Sequence, residues 1–122
     1  MKPTHLILTA LLVAVPLFAA EGKKATVTGE VIDIAGYAMK DSRGDEGRAA
    51  GQFHAEGGFP LGILTEDGKV YVAVYKNPAP ASTLEAANDV LHDLLGKDVV
   101  ARGTLYEAAG VSVLQISVIA EM

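Results

Sequence analysis

The chain has 122 residues, half of them hydrophobic, a formal net charge of −5 and no cysteine. This length supports one hydrophobic core and excludes two full domains, and the missing cysteines exclude disulfides and a lipid-anchored N-terminal cysteine. The negative charge and the scattered lysines and arginines disfavour polyanions, so we expect no nucleic-acid partner.

The first twenty residues have the pattern of an export signal. One lysine precedes an almost wholly apolar run, residues 6–20, which has about the length of a signal-peptide core and is short for a bilayer span. Small residues at Ala19 and Ala20 predict cleavage there, with an uncleaved anchor as the alternative. We therefore expect a signal peptide over 1–20, a single domain over 21–122, a periplasmic or secreted location, and membrane contact only through the signal segment before cleavage.

The next part of the chain predicts three strands. Residues 25–34 begin with β-type alternation, with Val27 and Val31 on one face and Thr28 and Glu30 on the other, and Gly29 indicates a bulge or a tight bend. Residues 59–66 form a second strand, which Asp67-Gly68 joins to a third as a hairpin. In this third strand, residues 69–76, one face carries Val70, Val72 and Val74 and the other carries Tyr71, Ala73 and Tyr75.

A helix over Thr83–Leu95 and two more strands complete the chain. Ser82 is a suitable N-cap, Glu85 completes a capping box, and Gly96 is a suitable stop. The apolar stripe of this helix is Leu84, Ala87, Leu91 and Leu94 or Leu95, and His92 is expected at its solvated surface.

The last two predicted strands cover residues 98–110 and 111–121, with a turn at Ala109-Gly110. One face of the first carries Val99, Ala101, Gly103 and Leu105. The order β-β-β-α-β-β predicts a mostly β protein, a five-stranded OB-like barrel with one helix between the third and fourth strands. An α+β sandwich built from the same elements is the alternative.

The segment from Gly36 to Gly58 holds six glycines and no regular apolar pattern. It is expected to be a long structureless loop outside the hydrophobic interior. A short helix over Asp45–His54 is possible, although Gly47 and Gly51 weaken it. Connections of this length in compact domains are usually functional or disordered. The loop is therefore the main candidate for a binding site, and a flexible insertion without a ligand is the alternative.

Two kinds of site are possible on these elements. Aromatic rings and one cation predict a ligand surface on the loop and the barrel face, made of Tyr37, Phe53, His54, Tyr71, Tyr75, Arg102 and Tyr106. The tyrosines could instead only cover apolar surface. An open metal site would use His54 with carboxylates from Asp45, Glu46 and Glu56, since one histidine without cysteine cannot close a structural zinc site. No nucleophile–histidine motif is present, so we expect no enzyme activity.

Three stretches resemble a group of small exported bacterial proteins with an OB-like pattern. They are Asp33-Ile34-Ala35-Gly36-Tyr37, Gly47-Arg48-Ala49-Ala50-Gly51-Gln52-Phe53-His54 and Gly58-Phe59-Pro60-Leu61-Gly62-Ile63-Leu64. In that group the first stretch reads Asp-x-x-Cys-Tyr, the second His-x-x-Cys-x-x-x-Cys and the third Gly-x-Pro-x-Gly-x-Leu. The flanking positions agree.

The chemistry of the resembling group is not retained. Gly36, Ala50 and His54 stand where the group has cysteine, and Gly47 stands where it has histidine. The spacing in the group is typical of a metal or redox site, which implies that only His54 remains as a ligand here.

These patterns lead to two functional hypotheses. The first is an exported, non-catalytic binding module without a cofactor, which holds a small ligand or an envelope protein through the segment 36–58 and the adjacent strand face. The second is a weak metal-binding or metal-handling protein of the periplasm, in which His54 and nearby carboxylates bind a divalent transition metal.

Overall fold

The computed structural model describes residues 21–122, which form a closed five-stranded mixed β-barrel and a helix-rich segment. The elements are β1 (Lys23–Asp33), α1 (Ile34–Lys40), α2 (Gly44–Glu56), β2 (Leu61–Leu64), β3 (Val70–Tyr75), α3 (Ala87–Leu91) with a 3₁₀ turn (His92–Leu94), β4 (Asp98–Ala108) and β5 (Val111–Glu121). The predicted signal peptide, residues 1–20, lies outside the described residues. Within 21–122, no helix combines the length and hydrophobicity needed to cross a membrane.

The strands close the barrel in the order β1-β2-β3-β5-β4. Four neighbouring pairs are antiparallel, and β3 runs parallel to β5 with Ala73 opposite Leu114. The prediction of a five-stranded barrel is therefore confirmed. The five strands follow one another in the predicted order, and helix α3 lies between β3 and β4.

Alternation along the strands separates the interior from the surface as predicted. The buried side chains include Val27 and Val31 from β1, and Val99 and Ala101 from β4. On β3 the tyrosine-bearing face is the inner one, because Ala73 is buried and both tyrosines of the strand pack against the core. One end of this core is completed by Ala55 of α2, by Ala87 and Leu91 of α3, and by Leu95.

Both predicted hairpins are confirmed. Ala109 and Gly110 have φ angles of 51° and 82°, as a two-residue turn between β4 and β5 requires. The β2–β3 connection contains the predicted Asp67-Gly68 but is longer, because Leu64 pairs with Val70.

Glycine allows close strand contacts at the two predicted positions. A side chain at Gly29 would overlap the carbonyl of Leu64, and one at Gly103 would overlap the carbonyl oxygen of Gln115. β1 pairs continuously with β4 through Gly29, so that position is a close approach rather than a bulge. The register irregularity lies beside Gly103, where Ser117 of β5 has no partner in the ladder.

The prediction of a structureless loop over 36–58 is wrong. Most of this segment lies in α1 and α2, and Ala55 is only 2% exposed and belongs to the core. The segment is therefore part of the folded unit, and its expected freedom from the hydrophobic interior is also wrong.

Tertiary capping explains why α2 forms although its sequence is unfavourable. The backbone N–H of Gly44 donates to Oε2 of Glu30 at 2.6 Å, so a carboxylate from β1 supplies the N-terminal cap. Arg48 adds a salt bridge to Asp45 at 2.8 Å within the helix. A cap that comes from fourteen residues away leaves no local sequence signal.

The glycines of α2 permit close packing. A methyl group at Gly51 would lie 3.2 Å from a methyl carbon of Leu95, and one at Gly47 would lie 2.7 Å from Oγ of Ser42. Gly47 and Gly51 therefore lie where α2 packs closely against neighbouring residues.

The predicted helix over Thr83–Leu95 is shorter than expected. The residue before α3, Ala86, is extended, and no side chain caps the helix. The hydroxyl of Thr83 donates to the carbonyl of Pro80 instead, so successive turns replace the first helical turn. Leu84, expected in the apolar stripe, is 94% exposed.

Candidate functional site

The end of β1 and the last turn of α2 bring a carboxylate and an imidazole together. Oδ2 of Asp33 lies 2.5 Å from Nδ1 of His54. Asp33 is 4% exposed, whereas 36% of the His54 side chain is exposed. Because an ionised carboxylate only accepts hydrogen bonds, Nδ1 is the donor, and Nε2 has no hydrogen bond within residues 21–122.

The Asp33 carboxylate sits in a space that glycine creates. A side chain at Gly36 would lie 2.6 Å from Oδ2 of Asp33 and 3.4 Å from Cβ of Ser42. The other oxygen, Oδ1, is buried and has no hydrogen-bond partner among the described residues. Gly36 thus leaves room for Oδ2, the oxygen that contacts His54.

Two aromatic rings frame His54. The ring of Phe59 stacks on the imidazole with centroids 5.1 Å apart and planes at 23°, and the ring of Phe53 lies 6.1 Å away. Phe53 is 73% exposed and Phe59 46%. We call Phe53, His54 and Phe59 the His54 surface. It presents one polar atom of fixed orientation, Nε2 of His54, beside two exposed phenyl rings.

The other predicted ligand-binding residues do not join this surface. Tyr71 and Tyr75 pack against the core and carry lysines on their outer sides, with Nζ of Lys69 5.0 Å and Nζ of Lys76 5.7 Å from the respective ring centroids. They therefore fit the alternative of covering apolar surface.

Arg102 and Tyr106 share the outer face of β4, as expected from their spacing, but they lie about 13 Å apart along the strand. Tyr37 lines a separate cavity of about 420 Å³ with Arg43 and Glu30. The structure thus keeps only Phe53 and His54 of the predicted set side by side.

The predicted metal-ligand set is likewise separated. Glu56 contacts His92, Asp45 contacts Arg48, and the partner of His54 is Asp33 rather than any of the three predicted carboxylates. In the part of the chain that the structure describes, no three histidine, aspartate or glutamate side chains are grouped to hold a metal ion.

His92 connects the end of α2 to the turn after α3. Its Nε2 lies 2.7 Å from Oε2 of Glu56 and its Nδ1 lies 2.9 Å from Oδ1 of Asp93. These contacts, with Asp93 first and Glu56 second, raise the pKa of His92 above its ordinary value. The residue is partly buried and ion-paired rather than freely solvated as predicted.

Stability is expected to fall as the pH rises through the pKa of His92. Because the folded state raises this pKa, the ion pairs contribute fully below the unfolded value of about 6.5 and are lost above the folded value. Urea unfolding between about pH 6 and pH 9 should show this decline, and His92→Gln should flatten it. An unchanged slope in the variant would contradict this role of His92.

Sequence reasoning identified His54 but missed its partner. The sequence marks Asp33 only as a flanking match to the resembling group, because 21 residues separate it from His54 and no local spacing links a strand end to a later helix. A polar residue that ends a buried apolar strand is the one signal that could have found it.

Two glycines and His54 lie around Asp33 and Ser42. Gly36 and His54 both lie against Asp33, and Gly36 and Gly47 both lie against Ser42. Comparisons of this chain with family models, curated proteins and solved structures found no match.

Proposed function

We propose that the chain is an exported, non-catalytic binding module of the bacterial envelope that holds a small ligand or a partner protein at the His54 surface. The observation that carries this proposal is the buried Asp33 carboxylate, which holds a partly exposed imidazole beside two exposed phenyl rings. The arrangement fixes the orientation of Nε2 before any ligand arrives, which lowers the entropic cost of binding.

The exposure of the rings supports binding rather than packing. Phe53 leaves most of its ring in water although it lies beside the imidazole. Contiguous exposed apolar groups around a polar centre are typical of interaction sites. The ligand would combine an apolar portion with a donor for Nε2.

The scaffold fits an OB-like barrel. Its strand order β1-β2-β3-β5-β4 and the helix between β3 and β4 are those of this architecture. In such barrels the connection between the first two strands often meets the ligand. Here this connection contains α1 and α2 and carries Phe53 and His54.

The metal hypothesis has one specific observation in its favour. A carboxylate that accepts from one ring nitrogen is the usual support for a histidine that binds a metal through the other. The Asp33–His54 pair has this form. Because the described residues provide no further clustered ligands, the remaining ligands would come from water or from a bound molecule.

Variants at His54 test the binding proposal. Immobilised protein is exposed to envelope extract, and bound proteins and small molecules are identified by mass spectrometry for wild type, His54→Ala and the control His92→Ala. Removing Nε2 should weaken capture about tenfold, as expected for loss of a hydrogen bond or a metal contact at this atom. Point variants are preferable to deletion of the segment, because deletion would remove Ala55 from the core.

The outcomes separate the hypotheses. Species held by wild type and by His92→Ala but lost in His54→Ala support the binding module. Capture that is equal in all three proteins would refute it. Calorimetric titration with Zn²⁺, Cu²⁺ and Ni²⁺ tests the metal alternative, which requires saturable binding that is absent in His54→Ala.

A further inference from the structure

The outer faces of β1, β4 and β5 form a hollow with an unusual charge. Its lining consists of Lys24, Ala25, Thr26, Arg102, Gly103, Thr104, Ser117 and Val118, around a volume of about 510 Å³. Two of these residues are cations, three carry hydroxyl groups and none is an acid. None of them belongs to the helix-rich segment, so the hollow is separate from the His54 surface.

The strand register brings the two cations together. Arg102 lies opposite Thr26, and Lys24 lies opposite Thr104 on the same outer face. The two cations are therefore diagonal neighbours across an antiparallel pair, with backbones about 7–8 Å apart and side chains long enough to converge. The hydroxyl groups of the two threonines complete the same row.

Neither cation has a carboxylate partner. Arg102 and Lys24 take part in no salt bridge within residues 21–122, although four other lysines or arginines do pair at 3.6 Å or less. Residues 1–20 contain no aspartate or glutamate that could pair with them. In a chain with a net charge of −5, two adjacent unpaired cations are an arrangement that repels itself and attracts an anion.

The register irregularity between β4 and β5 places a polar residue, Ser117, at the hollow. Ser117 has no partner in the ladder, because Arg102 pairs with Val118 while Gly103 pairs with Ile116. Gly103 places no side chain beside it. A bulge of this kind commonly redirects a side chain at a functional position.

We infer that the hollow between Lys24 and Arg102 binds a compact oxyanion, the phosphate or carboxylate group of a ligand. The guanidinium of Arg102 matches the planar oxygens of such a group, Lys24 supplies a second charge, and the threonine and serine hydroxyls donate further hydrogen bonds. Because the hollow is open to water, binding is weak and decreases with ionic strength.

Amide chemical shifts of the ¹⁵N-labelled protein test the inference, with sodium phosphate and sodium acetate as probes against sodium chloride at equal ionic strength. Phosphate should saturably shift the amides of Thr26, Gly103, Thr104 and Ser117. Arg102→Gln and Lys24→Gln should each weaken the affinity about threefold to tenfold. The control Lys40→Gln removes an exposed lysine that lines no part of the hollow, and it should bind as wild type does.

The location of the shifted amides supports or overturns the anion site. Saturation by phosphate alone, or by phosphate and acetate, at these amides supports the site and defines the anion. Shifts that are spread over the surface, or that are equal in wild type and both variants, overturn it. Flotation with phosphatidylglycerol vesicles, with phosphatidylcholine vesicles as the comparison, shows whether the phosphate can be a lipid headgroup. Vesicle binding without localised shifts from free phosphate would also overturn the inference.

Discussion

Replacing Ala55 with aspartate is expected to unfold much of the protein. Ala55 is 2% exposed and touches the core cluster, so the new carboxylate would be buried without a partner. An uncompensated buried charge costs about 3–5 kcal/mol, which is a large part of the stability of a small domain. Urea unfolding followed by circular dichroism measures the loss.

The matched control is Ala50→Asp on the same helix. Ala50 is exposed, so the same change there should alter the free energy of unfolding by about 0.5 kcal/mol or less. Equal stability of the two variants would show that α2 does not dock on the barrel, and the placement of His54 beside Asp33 would then be wrong as well.

Gly103→Ala is expected to have the second-largest effect. The added methyl group would overlap the carbonyl oxygen of Gln115 on the neighbouring strand. Since backbone atoms cannot rotate away as a side chain can, β4 and β5 must separate at this point of their ladder. We expect a loss of about 3 kcal/mol in the free energy of unfolding, at the upper end for overpacked sites.

Gly57→Ala is the control for this substitution. A methyl group there would lie 3.5 Å from the nearest carbonyl oxygen, an ordinary contact, and φ is −83°, which any residue adopts. Its stability should remain close to that of wild type, as measured by the same unfolding experiment. A tolerated Gly103→Ala would contradict the strand register beside Ser117.

The strands could be predicted because their information is local. Alternation of apolar residues identified the inner faces of β1 and β4, and Ala109-Gly110 identified the last turn, since these features depend on neighbours in sequence. The barrel then followed from the order of the elements.

The helix-rich segment could be predicted only as a possible short helix over Asp45–His54, because much of its stability comes from other parts of the chain. Glu30 caps α2 from β1, and Gly51 lies against Leu95, so a window of sequence around α2 shows only glycines and charges. The reverse error occurred at α3, where Ser82 and Glu85 have the pattern of a cap that the fold does not use.

The candidate site was half predictable for the same reason. His54 is noticeable in the sequence as one of two histidines in 21–122. Its orientation, however, depends on the contact with Asp33, and only the docking of α2 brings the two side chains to 2.5 Å. Arg102 was identified by alternation, while its neighbour Lys24 needed the β1–β4 register.

The position of β5 between β3 and β4 makes the C-terminal residues the last piece that the fold requires. While the residues beyond Val111 are still missing from a nascent chain, β5 cannot form. The edges of β3 and β4 with which it would pair are then both open. Such edges recruit strands from other molecules. Loss of β5 would thus leave the edges of β3 and β4 open and favour aggregation, although every residue of the His54 surface would already be present.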